Sequence, residues 1–204
     1  MFDSRLAEAD LRRLRRRGPA RATRDLLAAL ERADLPPEPT LIDIGGGVGA
    51  IHHQLLEHGF ASAVQVDASD AYLEVAAAEA QRRGHAARVT FHRGDIRAVA
   101  GDLPEADVVT LDRVVCCDPD YVSLLGVAAS RARRCIALTF PRPRRLIRAV
   151  VAMGNGWRRL AGLQFRAYVH PPERMSAVLA QHGFRRAWKG GTWIWAAELY
   201  ERAA

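Results

Sequence analysis

The stretch 41-LIDIGGGVGA-50 decides the fold. Its first half is an apolar run of strand type, and its second half is a glycine loop that opens onto a helical segment. Glycine lets a backbone turn sharply and approach a ligand closely. The helix that follows offers the unpaired N–H groups of its first turn. As a bare pattern, Gly45-x-Gly47-x-x-Ala50 also fits a dinucleotide-binding turn, so the loop alone does not choose its ligand.

Working outward, the same rhythm repeats. Strand 40–44 is followed by helix 48–58, strand 62–66, helix 69–83, strand 87–92, a short helix near 96–100, strand 106–111, helix 120–130 and strand 134–140. Alternation of this kind predicts a parallel sheet with helices on both faces. Before it, 5–17 and 20–33 read as two amphipathic helices, separated by Gly18-Pro19 and followed by the stiff connector 35-LPPEP-39. After Phe140 the rhythm breaks. Residues 142–164 predict two short amphipathic helices interrupted at 154-GNG-156, and 165-FRAYV-169 an extended segment. A helix runs from Pro171 to His182, and 184–200 is a hairpin turning at Gly190-Gly191.

Three acids narrow the ligand. Asp43 lies two residues before Gly45, where it would face an ammonium group and repel a pyrophosphate. Asp67 closes the second strand and can take both hydroxyls of a ribose. Asp95, after the third strand, can accept from an adenine amino group. All three sit at the carboxyl ends of neighbouring strands, where α/β sheets bind ligands. A nucleoside with a cationic amino-acid tail suits them, and NAD does not.

On these residues the chain resembles the class I S-adenosylmethionine-dependent methyltransferases, most fully over 40–140. The resemblance implies an α/β, Rossmann-like seven-stranded sheet of order 3-2-1-4-5-7-6 with the last strand antiparallel and helices on both faces. It implies S-adenosylmethionine as cofactor and S-adenosylhomocysteine as product. It also implies one methyltransferase domain over 1–204: N-terminal helices to 35, a cofactor-binding core at 40–140, a lid or acceptor insertion at 142–170, and a terminal helix and hairpin at 171–204. Gly45, Gly46, Gly47 and Gly49 would border the methionine part, with Asp43 on its amino group. Asp67 would hold the ribose, flanked by Ala68 and Ser69, and Asp95 with Ile96 the adenine. Asp112 and Arg113 would touch the cofactor from the fourth strand. Segments 111–121 and 165–175 are, more loosely, similar to bacterial proteins likened to magnesium-protoporphyrin O-methyltransferases.

The edge 111-LDRVVCCDPDY-121 would then lie beside the donor methyl, with Cys116, Cys117, Asp118 and Tyr121 lining an acceptor pocket. A carboxylate acceptor needs no general base, whereas a hydroxyl or amine benefits from one. His170 is the first candidate base, followed by Tyr121 and Asp118. His52 and His53 read as structural.

Charge sets the expected partner. The chain of 204 residues carries +7, unevenly: +5 in residues 1–24, and +10 in 131–166, which holds ten arginines and no acid. The remainder is net negative. So one-sided a patch attracts anions. The expected acceptor is therefore a small anionic or phenolic compound, O-methylated. A porphyrin carboxylate, an RNA, and cofactor binding without any transfer are the competing readings. Nucleic acid is disfavoured because 118-DPDY-121 lacks the second proline of an Asn/Asp-Pro-Pro-Tyr/Phe run. No uncharged apolar run is long enough to span a bilayer. The arginine- and tryptophan-bearing stretch near 142–159 suits either packing over the sheet, the favoured reading, or peripheral membrane contact. Three cysteines, two of them adjacent, give no disulfide framework and no zinc spacing, which fits a reducing cytoplasm and predicts no metal. The oligomeric state is not legible.

Overall fold

Strand β1 (Thr40–Ile44) runs into the glycine loop and then α3 (Ala50–Glu57), after two N-terminal helices, α1 (Ser4–Arg17) and α2 (Arg21–Leu30). β2 (Ser62–Asp67), α4 (Asp70–Arg83), β3 (Val89–Arg93) and the one-turn α5 (Ile96–Val99) complete the first half. The second half holds β4 (Ala106–Asp112), α6 (Tyr121–Arg131), β5 (Ala132–Pro141), α7 (Arg145–Leu160), α8 (Pro172–Gln181), β6 (Phe184–Gly191) and β7 (Trp195–Arg202). This computed structural model describes residues 4–203, so residues 1–3 and 204 of the expected domain lie outside the described residues.

The seven strands form one sheet in the order β3-β2-β1-β4-β5-β7-β6. The first five are parallel, and β7 pairs antiparallel with both β5 and β6. That is the order and the strand direction the resemblance implies. Period-two alternation explains how one sheet buries two faces. Ile42, Ile44, Val109, Leu111, Ile136 and Leu138 point to the side covered by α5, α6 and α8. Leu41, Val108, Cys135, Ala137 and Leu199 point to the side covered by α2 and α3. Each fully buried aliphatic side chain contributes about 1.5–3 kcal/mol relative to exposure.

Loop chemistry then places the strand ends. Asp95 caps α5 by accepting from the Arg97 N–H at 2.9 Å, and Asp120 caps α6 by accepting from the Ser123 N–H at 3.1 Å. Gly84, at φ 73°, ends α4 in the left-handed conformation that glycine adopts without penalty.

Three local expectations are corrected. The segment around 154-GNG-156 does not break a helix; α7 is continuous. Two interior glycines cost it about 1 kcal/mol each. Asn155 between them offsets this by bonding Ala167 at both backbone groups, at 2.7 and 2.9 Å. Residues 165–169 form no strand, although the Tyr168 N–H donates to the Cys116 carbonyl at 2.7 Å. Finally, the hairpin turns at 192–194, one step beyond Gly190-Gly191. Thr192 closes that turn by accepting from the Trp195 N–H at its hydroxyl, 3.0 Å away.

Candidate functional site

At the carboxyl ends of β1, β2, β3 and β4 the loops surround a cavity of about 1050 Å³. The glycine loop forms its floor. Gly45 sits at φ 60°, and a Cβ there would lie 2.5 Å from Val114. Only glycine lets this loop pass so close to the end of β4. Below the loop, Asp43 is buried and does not line the cavity. It accepts from the Thr110 hydroxyl at 2.7 Å and pairs with His52 Nδ1 at 3.2 Å. A Cβ on Gly46 would fall 2.6 Å from the same carboxylate. Asp43 therefore braces the loop from beneath.

Asp67 does face the cavity. Its carboxylate accepts the N–H of Gly47 at 3.1 Å and of Ser69 at 2.9 Å, which joins the two loops that bracket it. Burial pushes its pKa up, and those two N–H bonds pull it partly back. Each carboxylate oxygen has a second lone pair left for a ligand hydroxyl.

Asp95 lines the cavity beside the buried Ile96. Arg97 grips it at 2.5 Å and reaches Asp118 at 2.6 Å, tying the loop after β3 to the loop after β4. The bond from Arg97 holds Asp95 below the usual carboxylate range.

Asp112, at the end of β4, accepts the hydroxyls of Thr23 (2.8 Å) and Thr139. Desolvation by burial raises its pKa. Arg113 next to it is a non-glycine residue at φ 63°. Such a conformation costs about 1–3 kcal/mol and persists only where neighbours enforce it. Here the Arg113 N–H donates to Thr139 and the guanidinium stacks 4.6 Å above the Trp195 ring.

The remaining wall comes from the N-terminal helices. Asp10, Arg13, Leu14, Arg17, Thr23 and Arg24 all border the cavity. They are held there by two latches to α4: Tyr72 donates its hydroxyl to Asp10 at 2.7 Å, and Arg15 reaches the buried Glu79 at 2.5 Å. Arg82 and Arg83 also converge on Glu79 and drive its pKa well below the usual range.

The candidate catalytic groups are placed less favourably. Asp118 and Cys117 reach the cavity, but His170 and Tyr121 do not. His170 packs tilted against Tyr121 with ring centroids 4.4 Å apart, and its Nε2 lies 2.9 Å from the Asp118 carbonyl. It supports the loop from outside. Cys116 is buried behind Cys117 with the sulfurs 3.9 Å apart; hydrogen bonding from Cys116 lowers the pKa of Cys117 and raises its own. His52 and His53 are buried under the loop, and Gly49 passes within contact distance of both. Burial depresses the pKa of His53 to about 3. No histidine lines the cavity among the described residues, and no cluster of three ligating side chains there could hold a metal. Residues 142–170 contribute nothing to the cavity wall, so the expected lid stands elsewhere.

Residues 41–134 match the family model described as a methyltransferase domain. The fold is that of the class I S-adenosylmethionine-dependent methyltransferases, and the chain is similar to them. Magnesium protoporphyrin IX methyltransferase from Synechocystis PCC 6803, solved with S-adenosylhomocysteine, superposes with TM-score 0.74 at 20% identity, over 89% of this chain and 82% of that one. The same protein with S-adenosylmethionine gives 0.69 at 21%, over 89% and 78%. An O-methyltransferase family protein from Burkholderia thailandensis gives 0.73 at 15%, over 99% and 61%. No curated protein matches by sequence. The Synechocystis enzyme thus holds S-adenosylmethionine or its product in the same fold. A floor of bare glycine backbone and a half-satisfied carboxylate at Asp67 fit such a group.

Several site residues of the methyltransferase domain were not legible in the sequence. Arg97 binds two cavity acids at once, and only the spacing Asp95-x-Arg97 hints at half of that. Arg17 and Arg24 belong to a basic segment whose charge is plain but whose position depends on the latch to Glu79, 64 residues from Arg15 in the chain.

Proposed function

We propose that the protein transfers the methyl group of S-adenosylmethionine to an oxygen of a small anionic acceptor, a carboxylate first of all. One observation carries this reading: the cavity wall holds cations without carboxylate partners and no imidazole. Asp70 pairs with Arg93, Asp10 with Arg13, and Asp95 and Asp118 with Arg97. Asp67 and Asp112 are held by backbone N–H and hydroxyl donors, and Arg17, Arg24 and Arg113 line the same cavity with no ion pair among the described residues. An anion is drawn to such a wall. The source of attraction is thus the N-terminal helices and Arg113, whereas the arginine stretch 131–166 points elsewhere.

In this reading Asp67 holds the ribose hydroxyls, with Ala68 and Ser69 beside it. Asp95 and Ile96 meet the adenine, Gly45, Gly46 and Gly47 border the methionine part, and Gly49, off the cavity wall, acts through the loop. Asp43 acts through the loop, and Asp112 and Arg113 close the side next to β4. The cofactor supplies an electrophilic methyl carbon. The acceptor carboxylate forms the new C–O bond as the C–S bond breaks, leaving a methyl ester and S-adenosylhomocysteine. No proton has to move, so the lack of a positioned base is no obstacle. Alignment in a water-poor pocket supplies most of the acceleration. Three free thiols suit a reducing compartment such as the cytoplasm.

A tetrapyrrole propionate is a specific candidate within this class, favoured by the similarity to the Synechocystis enzyme. At 20% identity that similarity shows the fold, and fold does not fix substrate.

The test has two stages. Calorimetric titration with S-adenosylhomocysteine should show micromolar binding, and NAD none. Labelled-methyl transfer is then screened over carboxylates, phenols and amines, with alkali treatment of the product. Alkali-labile label on a carboxylate supports the reading, as does about tenfold weaker acceptor binding in R17Q/R24Q with S-adenosylhomocysteine affinity unchanged. Alkali-stable label, or a rate that collapses a hundredfold in His170→Asn, overturns it.

A further inference from the structure

Helix α7 buries little of itself. Ile147 is its one fully buried side chain among the described residues. At 100° per residue, Ile147, Val151, Asn155 and Arg158 share the side that rests on the protein. On the opposite side Leu146, Val150, Met153, Trp157 and Leu160 fall within an arc of about 80°. All five are exposed, Met153 by 71% and Leu160 by 90%. Arg145, Arg148 and Arg159 form the polar side of the helix away from that stripe, exposed and without ion pairs among the described residues. The β6–β7 turn adds Trp193 and Ile194, both about half exposed. It sits at the start of α7, where the Arg142 N–H donates to the Ile194 carbonyl and Arg144 stacks on Trp193.

We infer that this face docks on an anionic lipid bilayer, with the stripe and the Trp193–Ile194 turn in the headgroup–acyl boundary, Arg144 and Arg145 nearest the lipid phosphates, and Arg148 and Arg159 adding to the attraction from the polar side. Exposed apolar stripes of this extent mark interaction sites. The charge pattern chooses the occupant. The stripe has the four-three spacing of a helix seam, so a second copy is the rival. Pairing two copies would bring their arginines together with no acid to offset them, because residues 131–166 contain none. Like charges facing each other destabilise, whereas an anionic surface is attracted. A helix with an apolar side bearing Trp and Leu and a basic flank is the form that lies in a bilayer interface. The favoured packing of this segment over the sheet is thereby replaced.

The experiment is flotation of the full chain with vesicles of phosphatidylcholine alone and of phosphatidylcholine mixed with phosphatidylglycerol, at low and high salt. The expected result is flotation with the mixed vesicles only, reduced by salt. R145Q/R148Q/R159Q and, separately, W157A/L160A should each lower partitioning about tenfold or more. Both should keep the wild-type melting temperature, because every substituted side chain is at the surface. Absence of flotation by the wild type overturns the inference. So does a concentration-dependent dimer in sedimentation that W157A/L160A abolishes, which would make the face a seam between copies.

Discussion

Helices α1 and α7 begin from the same material and end differently. Both are amphipathic, rich in arginine, and carry arginines in their last turns. Helix α1 buries Ala7 and Leu11 against Val48 and Tyr72 and becomes a wall of the cavity. Helix α7 leaves its apolar stripe in the open. The difference lies in what faces them. Helix α4 presents Glu79, fully buried under three arginines, and Tyr72, whose hydroxyl reaches Asp10. Among the described residues no acid pairs with an arginine of α7, and its own stretch of chain supplies none. Arginine content therefore does not decide whether a peripheral helix serves the site. A buried acid on the neighbouring element does.

The largest expected effect breaks that latch. Glu79→Gln leaves Arg15 and Arg82 without a carboxylate and Arg83 with Glu57 alone. Removing one partner of a buried ion pair costs about 3–5 kcal/mol, and the half-exposed Arg15 and Arg82 place this case at about 3 kcal/mol. Urea denaturation measures the loss, and S-adenosylhomocysteine titration should show weaker binding because the α1 wall loosens. If affinity holds while stability falls, α1 is dispensable for the site. The latch also has a pH signature. A carboxyl held below its ordinary value of 4.5 contributes its stability above that value and loses it as pH falls.

Next comes the grip on the cofactor. Asp67→Ala removes charge-assisted bonds worth about 1.5–3 kcal/mol of cofactor affinity. Arg15, Glu79 and Tyr72 are untouched, so α1 should stay docked. Calorimetry on E79Q and D67A together separates the wall from the grip, and unchanged affinity in D67A would remove Asp67 from the site.

A smaller effect concerns the histidines under the glycine loop. His53 and His85 face each other with Nδ1 atoms 3.1 Å apart, and burial lowers both pKa values. A group whose folded pKa is depressed stabilises fully above its unfolded value and loses that contribution as pH drops. Stability should therefore begin to fall near pH 6.5, before the carboxylates titrate, and continue to fall towards the folded value of about 3 for His53. Melting temperature against pH checks this. A curve flat from pH 7 to 5 would mean that the folded protein takes up as many protons there as the unfolded chain, so that the two histidines are not depressed.

How far the sequence could be read follows the same division. Over 40–140 each element is dictated by its own residues: apolar runs of strand length, glycines at positive φ values that they adopt without penalty, acids at strand ends. The sheet order and the places of Gly45, Asp67, Asp95 and Ile96 are legible for that reason. Beyond Phe140 the outcome depends on contacts distant in sequence. Asn155 bonding Ala167 keeps α7 whole across two glycines, and nothing in the local pattern announces it. His170 looks free to act as a base until the Asp118 carbonyl and the Tyr121 ring are seen to hold it outside the cavity. The basic charge of α1 is visible, but its place at the cavity rests on Glu79.

The smallest expected effect is the most discriminating for the comparison. R145Q/R148Q/R159Q removes three charges from α7, as many as Glu79 gathers from α1 and α4. Those arginines have no ion pair to lose among the described residues, so stability should change by no more than about 0.5 kcal/mol, the usual range for surface substitutions. Self-repulsion falls when like charges are removed from so basic a stretch, so the sign should be neutral to slightly stabilising. Affinity for S-adenosylhomocysteine should also hold, because no residue of 142–170 borders the cavity. A loss approaching that of Glu79→Gln would mean that α7 has an acid partner after all. The two helices would then differ in degree, and the exposed stripe would lose its standing as a surface kept free for something outside the chain.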